Sequence, residues 1–284
     1  MPELPEVETV RRELEPVLVG RQLQRVEIDD PRLVRPLEPL EVAAELEGER
    51  VAAVERRGKY LIVRFESDRS LLVHLRMTGS FRHVPAGLPD SGPNVPHIRA
   101  VVRLDDGSDV AYRDVRRFGT WLLLEPGELD PYLAGRLGAE PLERAFTAKV
   151  LAARLAGRRA PLKSALLDQR TLAGMGNIYV DEALWRSRLH PLRPAGSLDD
   201  AETKELARAI RDALRMGIAR YGATLREYAR TDGASGSMQD EFRAYGRAGE
   251  PCYRCGTPIE KIRVAGRGTW FCPGCQRLPA GSGA

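Results

Sequence analysis

The sequence predicts an α+β protein in which a strand-rich N-terminal half precedes a helical segment and a small cysteine-containing module. Three observations predict it: short β-rich runs between residues 23 and 125, helical periodicity beyond Pro126 and Gly127, and four cysteines confined to residues 252–275. Runs of this length and spacing indicate an antiparallel sandwich or barrel. Because 284 residues exceed what one hydrophobic core usually supports, we expect two domains with the small module attached.

An amphipathic helix is predicted to open the chain. Val7, Val10 and Leu14 recur at helical spacing. Pro5 stands where the first turn would lie and Gly20 just beyond the last, which are favoured places for proline and glycine.

The strand-rich part follows this helix, and turn signals such as Asp106-Gly107 separate its runs. Seven runs are predicted strands: LQRVEI, VAAVERR, KYLIVRFE, SLLVHLRM, IRAVVRL, DVAYRDV and TWLLLE. Helices are predicted near residues 147–156, 161–168, 177–188 and 198–221. The stretch TDGASGSMQD lacks apolar periodicity, and we expect it to be a mobile loop.

Charge and hydropathy narrow the class of partner and the compartment. The net charge of +4 comes from 44 basic and 40 acidic residues, a balance that identifies no partner. Seven Lys or Arg and only two Glu lie from residue 243 onward, which fits a local polyanion-binding module or a solvated basic surface. No apolar run approaches the roughly 18 residues of a membrane span. The start lacks the pattern of a secretory signal, so we expect a cytoplasmic protein without a membrane segment.

The four cysteines form two short pairs, CYRC and CPGC, with 16 residues between Cys255 and Cys272. This spacing is typical of tetrahedral zinc sites. Cys252, Cys255, Cys272 and Cys275 are therefore the predicted ligands of one structural zinc ion, since four thiolates leave no position for water. Two disulfides are the alternative, which a reducing cytoplasm disfavours.

A hairpin is predicted between the cysteine pairs, over IEKIRVAGRGTWF. Its turn, residues 265–268, would place Arg267 at the tip between two glycines. A guanidinium there can form a forked contact with a phosphate, and an exposed turn residue without a partner is the alternative.

The first residues and several internal motifs together suggest a family. Pro2 follows a methionine that aminopeptidases commonly remove, which by itself says little. The motifs that accompany it are PELPE from Pro2, RRGKY at residues 56–60, HLRMTG at 74–79, RRFG at 116–119, GMGNIYVDE at 174–182 and the cysteine module. In this order, from Pro2 to Cys275, they resemble the formamidopyrimidine-DNA glycosylase family, also called MutM.

The resemblance implies a fold and a domain division. Residues 1–134 would be a catalytic β-sandwich domain with an N-terminal helix. Residues 135–242 would be a helical DNA-binding domain with a helix-two-turns-helix motif and a loop, 223–239, that caps the lesion. Residues 243–284 would be the zinc finger.

The resemblance also implies a bifunctional DNA glycosylase and abasic-site lyase that acts on oxidised purines in duplex DNA. Pro2 would be the nucleophile, Glu3 would move protons, and Lys59 and Arg267 would complete the catalytic set. Attack needs the neutral amine, and the ordinary pKa of that amine is about 8. Burial and the helix dipole should lower this pKa, whereas the Glu3 and Glu6 carboxylates should raise it. Without the resemblance, Lys59 would be taken for an exposed strand-edge residue.

The remaining assignments concern DNA contact. Enzymes that act on a base in a duplex extrude it, and apolar side chains fill the gap. The residues that the resemblance assigns to DNA binding are Met77, Arg116, Phe118, Asn177, Lys163, His97 and Glu6. Their alternatives are ordinary ones: Met77 and Phe118 as core residues, Asn177 as a helix cap, and Glu6 as a first-turn carboxylate favoured by the dipole.

The chain departs from the family pattern at Val115, where proline is usual, and at Arg76, where glycine is usual. These departures bear on the stiffness of the loop that would enter DNA. Two rivals stay open: an endonuclease VIII-type enzyme for oxidised pyrimidines, and a non-catalytic zinc-ribbon protein that binds DNA. We expect a monomer, because an enzyme that meets one lesion at a time needs no partner subunit.

Overall fold

The structure, a computed structural model, describes residues 1–88, 96–225 and 227–278. The chain divides into two compact units. The first comprises Met1–Leu133 and Arg220–Ser237, and the second comprises Ala134–Ala219 and Met238–Ala284.

Helix α1 (Leu4–Leu18) opens the first unit, as predicted. Glu3 is its N-cap, and a capping box joins the Glu3 and Glu6 side chains to each other's backbone amides. Val7 and Leu14 are fully buried, so the predicted apolar face packs into the core.

Eight strands form two four-stranded antiparallel sheets in the first unit. They are β1 (Leu23–Ile28), β2 (Val51–Arg57), β3 (Tyr60–Phe65), β4 (Ser70–His74), β5 (Gly79–Val84), β6 (Ile98–Leu104), β7 (Asp109–Asp114) and β8 (Thr120–Leu124). One sheet has the order β1-β6-β7-β5 and the other β2-β3-β4-β8. Of the predicted sandwich and barrel, the structure therefore has the sandwich.

Aromatic rings join the two sheets. Phe81 on β5 stacks on Trp121 of β8 with ring centroids 6.2 Å apart. Tyr112 on β7 lies 5.5 Å from the Trp121 ring. All three rings are buried in one apolar cluster that also includes α1, so the core lies between the sheets and beneath the helix.

Three elements of the chain were not predicted. Strand β5 starts with Gly79 and Ser80, which resemble a turn in sequence, and its first three residues are all buried rather than alternating. Helix α2 (Pro39–Leu46) follows a proline-rich stretch, and its proline occupies the first turn, where no hydrogen bond is lost. Helix α3 (Leu129–Ala134) has only six residues, too few to show a period.

The helices of the second unit agree with the predicted positions. They are α4 (Ala148–Leu155), α5 (Leu162–Leu167), α6 (Asn177–Ser187) and α7 (Asp200–Ala219). Two successive turns connect α5 to α6. Thr171 N donates to Asp168 O at 2.8 Å in the first turn, and Gly174, in the second, has a φ of 86° that glycine adopts without strain. This is the predicted helix-two-turns-helix arrangement.

The C-terminal part of the second unit carries the predicted hairpin, made of β9 (Glu260–Val264) and β10 (Arg267–Phe271). The two strands pair in antiparallel register from Val264 opposite Arg267 to Glu260 opposite Phe271. No helix within the described ranges is both long and apolar enough to cross a bilayer.

Candidate active site

Pro2 is buried at the start of α1, next to the two carboxylates that the sequence singles out. Glu3 and Glu6 expose only 3% and 2% of their surface. The Glu3 amide donates to Glu6 Oε2 at 2.8 Å, so the residue after Pro2 is held by the helix itself. This fixes the direction in which the chain leaves the helix toward its N-terminus.

Four of the predicted site residues act on the charge of the N-terminal amine: Glu3, Glu6, Lys59 and Arg116. Burial lowers the pKa of the Met1 amine; Lys59 and Arg116 add to the decrease, whereas the Glu3 and Glu6 carboxylates raise it. Burial is the largest cause, so the net pKa lies below the ordinary value. These surroundings favour a neutral amine at Met1, and the prediction of a lowered pKa for the Pro2 amine stays a prediction.

Lys59 occupies the turn between β2 and β3, after Gly58, whose φ is 58°. It is only 5% exposed, so the alternative of an exposed strand-edge lysine is wrong. His74, at the end of the neighbouring strand, is buried too. Burial lowers the pKa of His74 to about 3, and the Arg76 and Lys59 cations contribute. Its neutral imidazole accepts a hydrogen bond from Arg76 N at 3.0 Å, which fixes the start of the loop that carries Met77.

Met77 and Phe118 are exposed, although both follow apolar strands. Their exposed fractions are 38% and 51%, so the core alternative is wrong for both. The Arg116 guanidinium carbon lies 4.7 Å from the centre of the Phe118 ring. Arg116 and Phe118 therefore form one exposed pair that can enter a base stack together.

Asp114, which the sequence analysis missed, holds the loop that carries this pair. Its Oδ1 accepts from Thr78 Oγ1 at 2.5 Å and from Arg116 N at 3.2 Å. Its Oδ2 accepts from Gly119 N at 2.7 Å. An aspartate at a strand end that binds the amide two residues on is a familiar turn pattern, and it was the available signal. Asp114 thus links the loop after β4 to the loop after β7.

Two further contacts stiffen the same loops. Asp30 Oδ2 accepts a hydrogen bond from Arg117 Nε at 2.6 Å, and Asp30 Oδ1 accepts one from Arg117 Nη2 at 2.7 Å. A Cβ on Gly79 or Gly119 would collide with the Tyr112 hydroxyl. This explains why the motifs HLRMTG and RRFG both end in glycine. Both contacts restrict the loop in which Val115 lies.

His97 lies just before β6 and beside the end of β7, since its carbonyl accepts from Asp114 N at 2.9 Å. The residue is exposed and has a φ of 71°. Its Nδ1 is 3.4 Å from Arg99 Nη2. The prediction that His97 contacts DNA stays a prediction.

In the second unit, Asn177 is the first residue of α6 and Gly176 is the N-cap, so the helix-cap alternative for Asn177 is wrong. Asn177 Nδ2 donates to Gly268 O at 3.0 Å. Its buried Oδ1 has no hydrogen-bond partner within the described part of the chain. The amide thus connects the start of α6 to the hairpin.

Lys163 reaches the same carbonyl from α5. It is fully buried, and its Nζ lies 2.7 Å from Asp181 Oδ1 and 2.9 Å from Gly268 O. Asp181 Oδ2 accepts from Trp270 N at 3.0 Å. Burial raises the pKa of Asp181 to about 7, although the Lys163 ammonium opposes that increase. Lys163 and Asp181 therefore fix strand β10 at the Gly268 carbonyl and at the Trp270 amide.

Arg267 lies elsewhere in the hairpin than predicted. It is the first residue of β10 and pairs with Val264, so it is not at the tip. The turn consists of Ala265 and Gly266 alone, with φ of 46° and 76°, which is the two-residue turn that suits the twist of a hairpin. Arg267 is nevertheless exposed, one residue from the fixed Gly268.

Glu182, also missed from the sequence, ties α6 to the segment before the zinc module. The carboxylate is fully buried. Its Oε1 accepts from the successive amides of Arg243, Ala244 and Tyr245 at 2.8, 2.8 and 3.1 Å. Arg186 Nη1 lies 2.7 Å from the other oxygen, which balances its charge. Asp181 thus holds the hairpin, and the adjacent Glu182 holds the segment that leads to it, residues 243–245.

The four cysteine sulfurs form a metal site, since all lie within 4.8 Å of one another. Sγ of Cys255 is 3.4 Å from those of Cys272 and Cys275, and the Cys252 and Cys275 sulfurs are 4.0 Å apart. A zinc tetrahedron with Zn–S bonds of about 2.3 Å has edges of about 3.8 Å, which these spacings match. A disulfide bond is about 2.05 Å long, so the alternative of two disulfides does not fit.

Comparisons with known proteins agree with this geometry over nearly the whole chain. Family models match the formamidopyrimidine-DNA glycosylase N-terminal domain at residues 1–121, its H2TH domain at 137–229, and a zinc finger found in FPG and IleRS at 249–278. A formamidopyrimidine-DNA glycosylase of Symbiobacterium thermophilum is 50% identical over 283 residues, which cover 99% of this chain and 91% of the relative.

Solved structures of similar proteins contain damaged DNA. A Lactococcus lactis FPG mutant in complex with Fapy-dG DNA is 39% identical, with a TM-score of 0.89, over 98% of this chain and all of that one. MutM in complex with carbocyclic 8-oxo-G DNA has the same identity and coverage and a TM-score of 0.88. The chain, with its buried N-terminal proline, paired exposed loops and four-cysteine hairpin, belongs to the formamidopyrimidine-DNA glycosylase family.

Proposed function

We propose that this protein excises oxidised purines, 8-oxoguanine and formamidopyrimidines, from duplex DNA and then cleaves the strand at the emptied site, as a glycosylase and lyase of base excision repair. The observation that carries the proposal is Pro2, which is buried beside the Glu3 and Glu6 carboxylates. One residue away, burial, Lys59 and Arg116 lower the pKa of the Met1 amine. A neutral secondary amine at a chain terminus is a nucleophile for the anomeric carbon of the sugar.

The reaction begins when the lone pair of the Pro2 nitrogen attacks C1′. The bond from C1′ to the base breaks, and the base leaves with a proton. The nitrogen gives its own proton to Glu3, the C1′–O4′ bond breaks, and Glu3 passes the proton to O4′ as the sugar ring opens. A C=N⁺ bond now joins Pro2 to C1′. Proline has no second N–H to lose, so this iminium stays charged. It accepts the electron pair left by proton loss at C2′, and the 3′ phosphate leaves as a C2′=C3′ double bond forms. A second proton loss, at C4′, then supplies the electron pair that expels the 5′ phosphate.

Glu3 is the proposed proton carrier in these steps. It is buried next to the amine, and the hydrogen bond of its amide to Glu6 fixes its backbone. Lys59 is proposed to meet the phosphate beside the extruded nucleotide, since it is a buried cation whose charge acts on the N-terminal amine. Glu6 acts through Glu3 and the backbone rather than on the substrate.

Extrusion of the base requires that the gap be filled. The exposed Phe118 ring would enter the stack, Met77 would occupy the vacated space, and Arg116 would hydrogen-bond to the orphaned partner base. Asp114 supports this role because it presents the two loops as one rigid edge.

Arg267 and Asn177 are proposed to hold the phosphates that flank the extruded nucleotide. Both lie next to Gly268, which Lys163 and Asn177 fix by its carbonyl. The fully buried Lys163 acts on DNA indirectly, by holding β10, which Arg267 begins. His97 is proposed as a further phosphate contact. The zinc ion supplies shape, since four thiolates leave it no open position.

The test is covalent trapping with borohydride on duplexes that contain 8-oxoguanine, an oxidised pyrimidine or an abasic site. We expect an adduct with 8-oxoguanine and abasic DNA, because borohydride reduces the iminium to a stable amine. Pro2→Leu keeps Met1 and should abolish the adduct, whereas Pro5→Ala, in the same helical turn, should retain it. Mass spectrometry of the intact chains confirms the state of residue 1.

Other outcomes identify the rivals. Trapping confined to the oxidised pyrimidine would indicate the endonuclease VIII type of specificity. Binding without any adduct would indicate a non-catalytic DNA-binding protein. An undiminished adduct in Pro2→Leu would move the nucleophile to a lysine such as Lys59. The division of the chain at residues 134 and 242, the monomeric state and the cytoplasmic location belong to the same proposal.

A further inference from the structure

Residues 220–237 form a loop of the first unit whose two ends meet. Ser237 N donates to Arg220 O at 2.8 Å, and Gly236 N donates to Thr224 Oγ1 at 2.9 Å. A Cβ on Gly236 would collide with the Gly222 carbonyl, so the two ends touch backbone to backbone. Part of this loop was predicted to be mobile, yet its base is closed by its own hydrogen bonds.

One end of the loop is bound to the start of α1. Glu6 Oε1 accepts from Ala223 N at 2.8 Å, while its Oε2 accepts from Glu3 N at 2.8 Å. A single buried carboxylate therefore joins the loop to the residue that follows Pro2. This end of the loop lies beside the proposed nucleophile.

The other end is bound to the same helix by a second carboxylate. Glu13 Oε1 accepts from Arg230 Nε at 2.6 Å. Its Oε2 accepts from Thr231 N at 2.8 Å and from Thr231 Oγ1 at 2.9 Å. Glu13 follows Glu6 by seven residues, which is about two turns, so both carboxylates lie on one face of α1.

Tyr228 lies between these two attachments. It is buried, and its hydroxyl donates to Tyr221 O at 3.1 Å. Burial raises the pKa of Tyr228, and the Glu6 and Glu13 carboxylates raise it further, which places the phenol near both. Leu225, by contrast, is 49% exposed. The loop thus presents an exposed apolar side chain two residues after Ala223, which Glu6 binds, and keeps both attachments buried or half-buried.

We propose that Glu13 is a positioning residue for recognition of the damaged base, an inference that rests on the function proposed above. The amine chemistry acts on the sugar and uses groups at the N-terminus of α1 and on Lys59. The loop contributes none of these groups, yet Glu6 holds it beside them. The loop can instead contact the base that has left the base stack. Glu13 fixes the far attachment without touching the amine or the sugar.

The experiment compares Glu13→Gln with the unaltered enzyme on two duplexes, one with 8-oxoguanine and one with an abasic site. The glutamine NH₂ would face the donors of Thr231 or Arg230, so at least one charge-assisted bond is lost. Base release from 8-oxoguanine in single-turnover assays should slow about tenfold, the equivalent of one such bond. Strand cleavage and borohydride trapping on abasic DNA, which has no base to recognise, should change less than about twofold.

Two further variants keep the test decisive. Thr231→Val removes one hydroxyl donor at constant shape, and it should slow base release in the same direction by less. Glu15→Gln is the matched control, because Glu15 is half exposed on the same helix and pairs with Arg11 at 3.0 Å. It should leave both substrates unchanged.

Equal losses on both duplexes in Glu13→Gln would overturn the inference, because a general structural role affects both. Unchanged base release would overturn it as well. If Glu13→Gln does not fold, Thr231→Val decides on the same two substrates. An unaltered enzyme that forms no adduct on abasic DNA would instead contradict the proposed function.

Discussion

At the scale of single residues, Phe118 leaves half of its ring in water while the similar Phe81 is buried between the sheets. An exposed aromatic ring gains nothing for folding, but it can bury its surface in DNA when a base leaves the stack. Composition and spacing could not separate these two phenylalanines, since both follow or lie in apolar strands. Only the fold shows that one of them is available for binding.

Phe118→Ala tests this difference directly. Because the ring is half exposed, the free energy of unfolding should change by about 0.5 kcal/mol or less. Affinity for a duplex with an abasic site should nevertheless fall, since the wedge is gone. Urea unfolding and fluorescence anisotropy measure the two quantities. Phe81→Ala is the control and should cost about 3–5 kcal/mol of stability; a stability loss of that size in Phe118→Ala would contradict the assignment.

His74 should make folding stability depend on pH. Its folded pKa of about 3 lies below the unfolded value of about 6.5, so the unfolded chain binds the additional proton. The stabilisation is complete above pH 6.5 and is lost as the pH falls toward 3. Between pH 7 and 5.5 we expect the unmodified chain to lose about 1 kcal/mol more than His74→Gln does.

Urea unfolding at both pH values measures that difference. Equal slopes in the unmodified chain and in His74→Gln would show that the imidazole does not stay neutral in the folded protein.

At the scale of elements, strand and helix patterns predicted most of the sandwich and helices, but not the contacts that hold the loops. β5 was missed because its three buried residues in a row break the two-residue alternation. Asp181 and Glu182 were missed because each acts on backbone amides that are distant in sequence. Asp114 was missed although its bond to the amide two residues on is a local turn pattern. A sequence pattern shows which face is apolar, and it does not show which amide a carboxylate will reach.

The hairpin and its cysteines should depend on zinc. The four sulfurs are at tetrahedral spacing, and thiolates this close repel one another when no cation is present. We expect about one zinc per chain by elemental analysis. A chelator should release it, weaken duplex binding and change the fluorescence of Trp185, whose Nε1 donates to Cys252 Sγ at 3.4 Å. Added zinc should restore both signals, and full affinity in the zinc-free chain would refute a structural role.

At the scale of the whole molecule, the order of motifs from Pro2 to Cys275 predicted the family and the fold, because each motif comes from a different element. The net charge of +4 predicted little, since the useful cations are a few exposed side chains such as Arg267 and Arg116. Their positions depend on buried neighbours, and a charge count does not include those.

Duplex affinity should therefore fall with salt, in proportion to the number of phosphates contacted. Arg267→Gln should weaken binding at low salt and reduce the slope of log affinity against log salt by about one. Titrations from low to moderate salt with an abasic-site duplex measure it. Arg277→Gln, in the same module, is the control and should leave the slope unchanged. An unaltered slope in Arg267→Gln would exclude its phosphate contact.

The burial of Pro2 also determines when the protein can mature. A peptidase that removes Met1 must grip an extended terminus, yet residues 2–10 are buried once α1 has packed against the sandwich. We therefore expect Met1 to be removed while the chain emerges from the ribosome, before α1 packs against the sandwich. A molecule that folds with Met1 in place would lack the free proline amine that the proposed reaction needs.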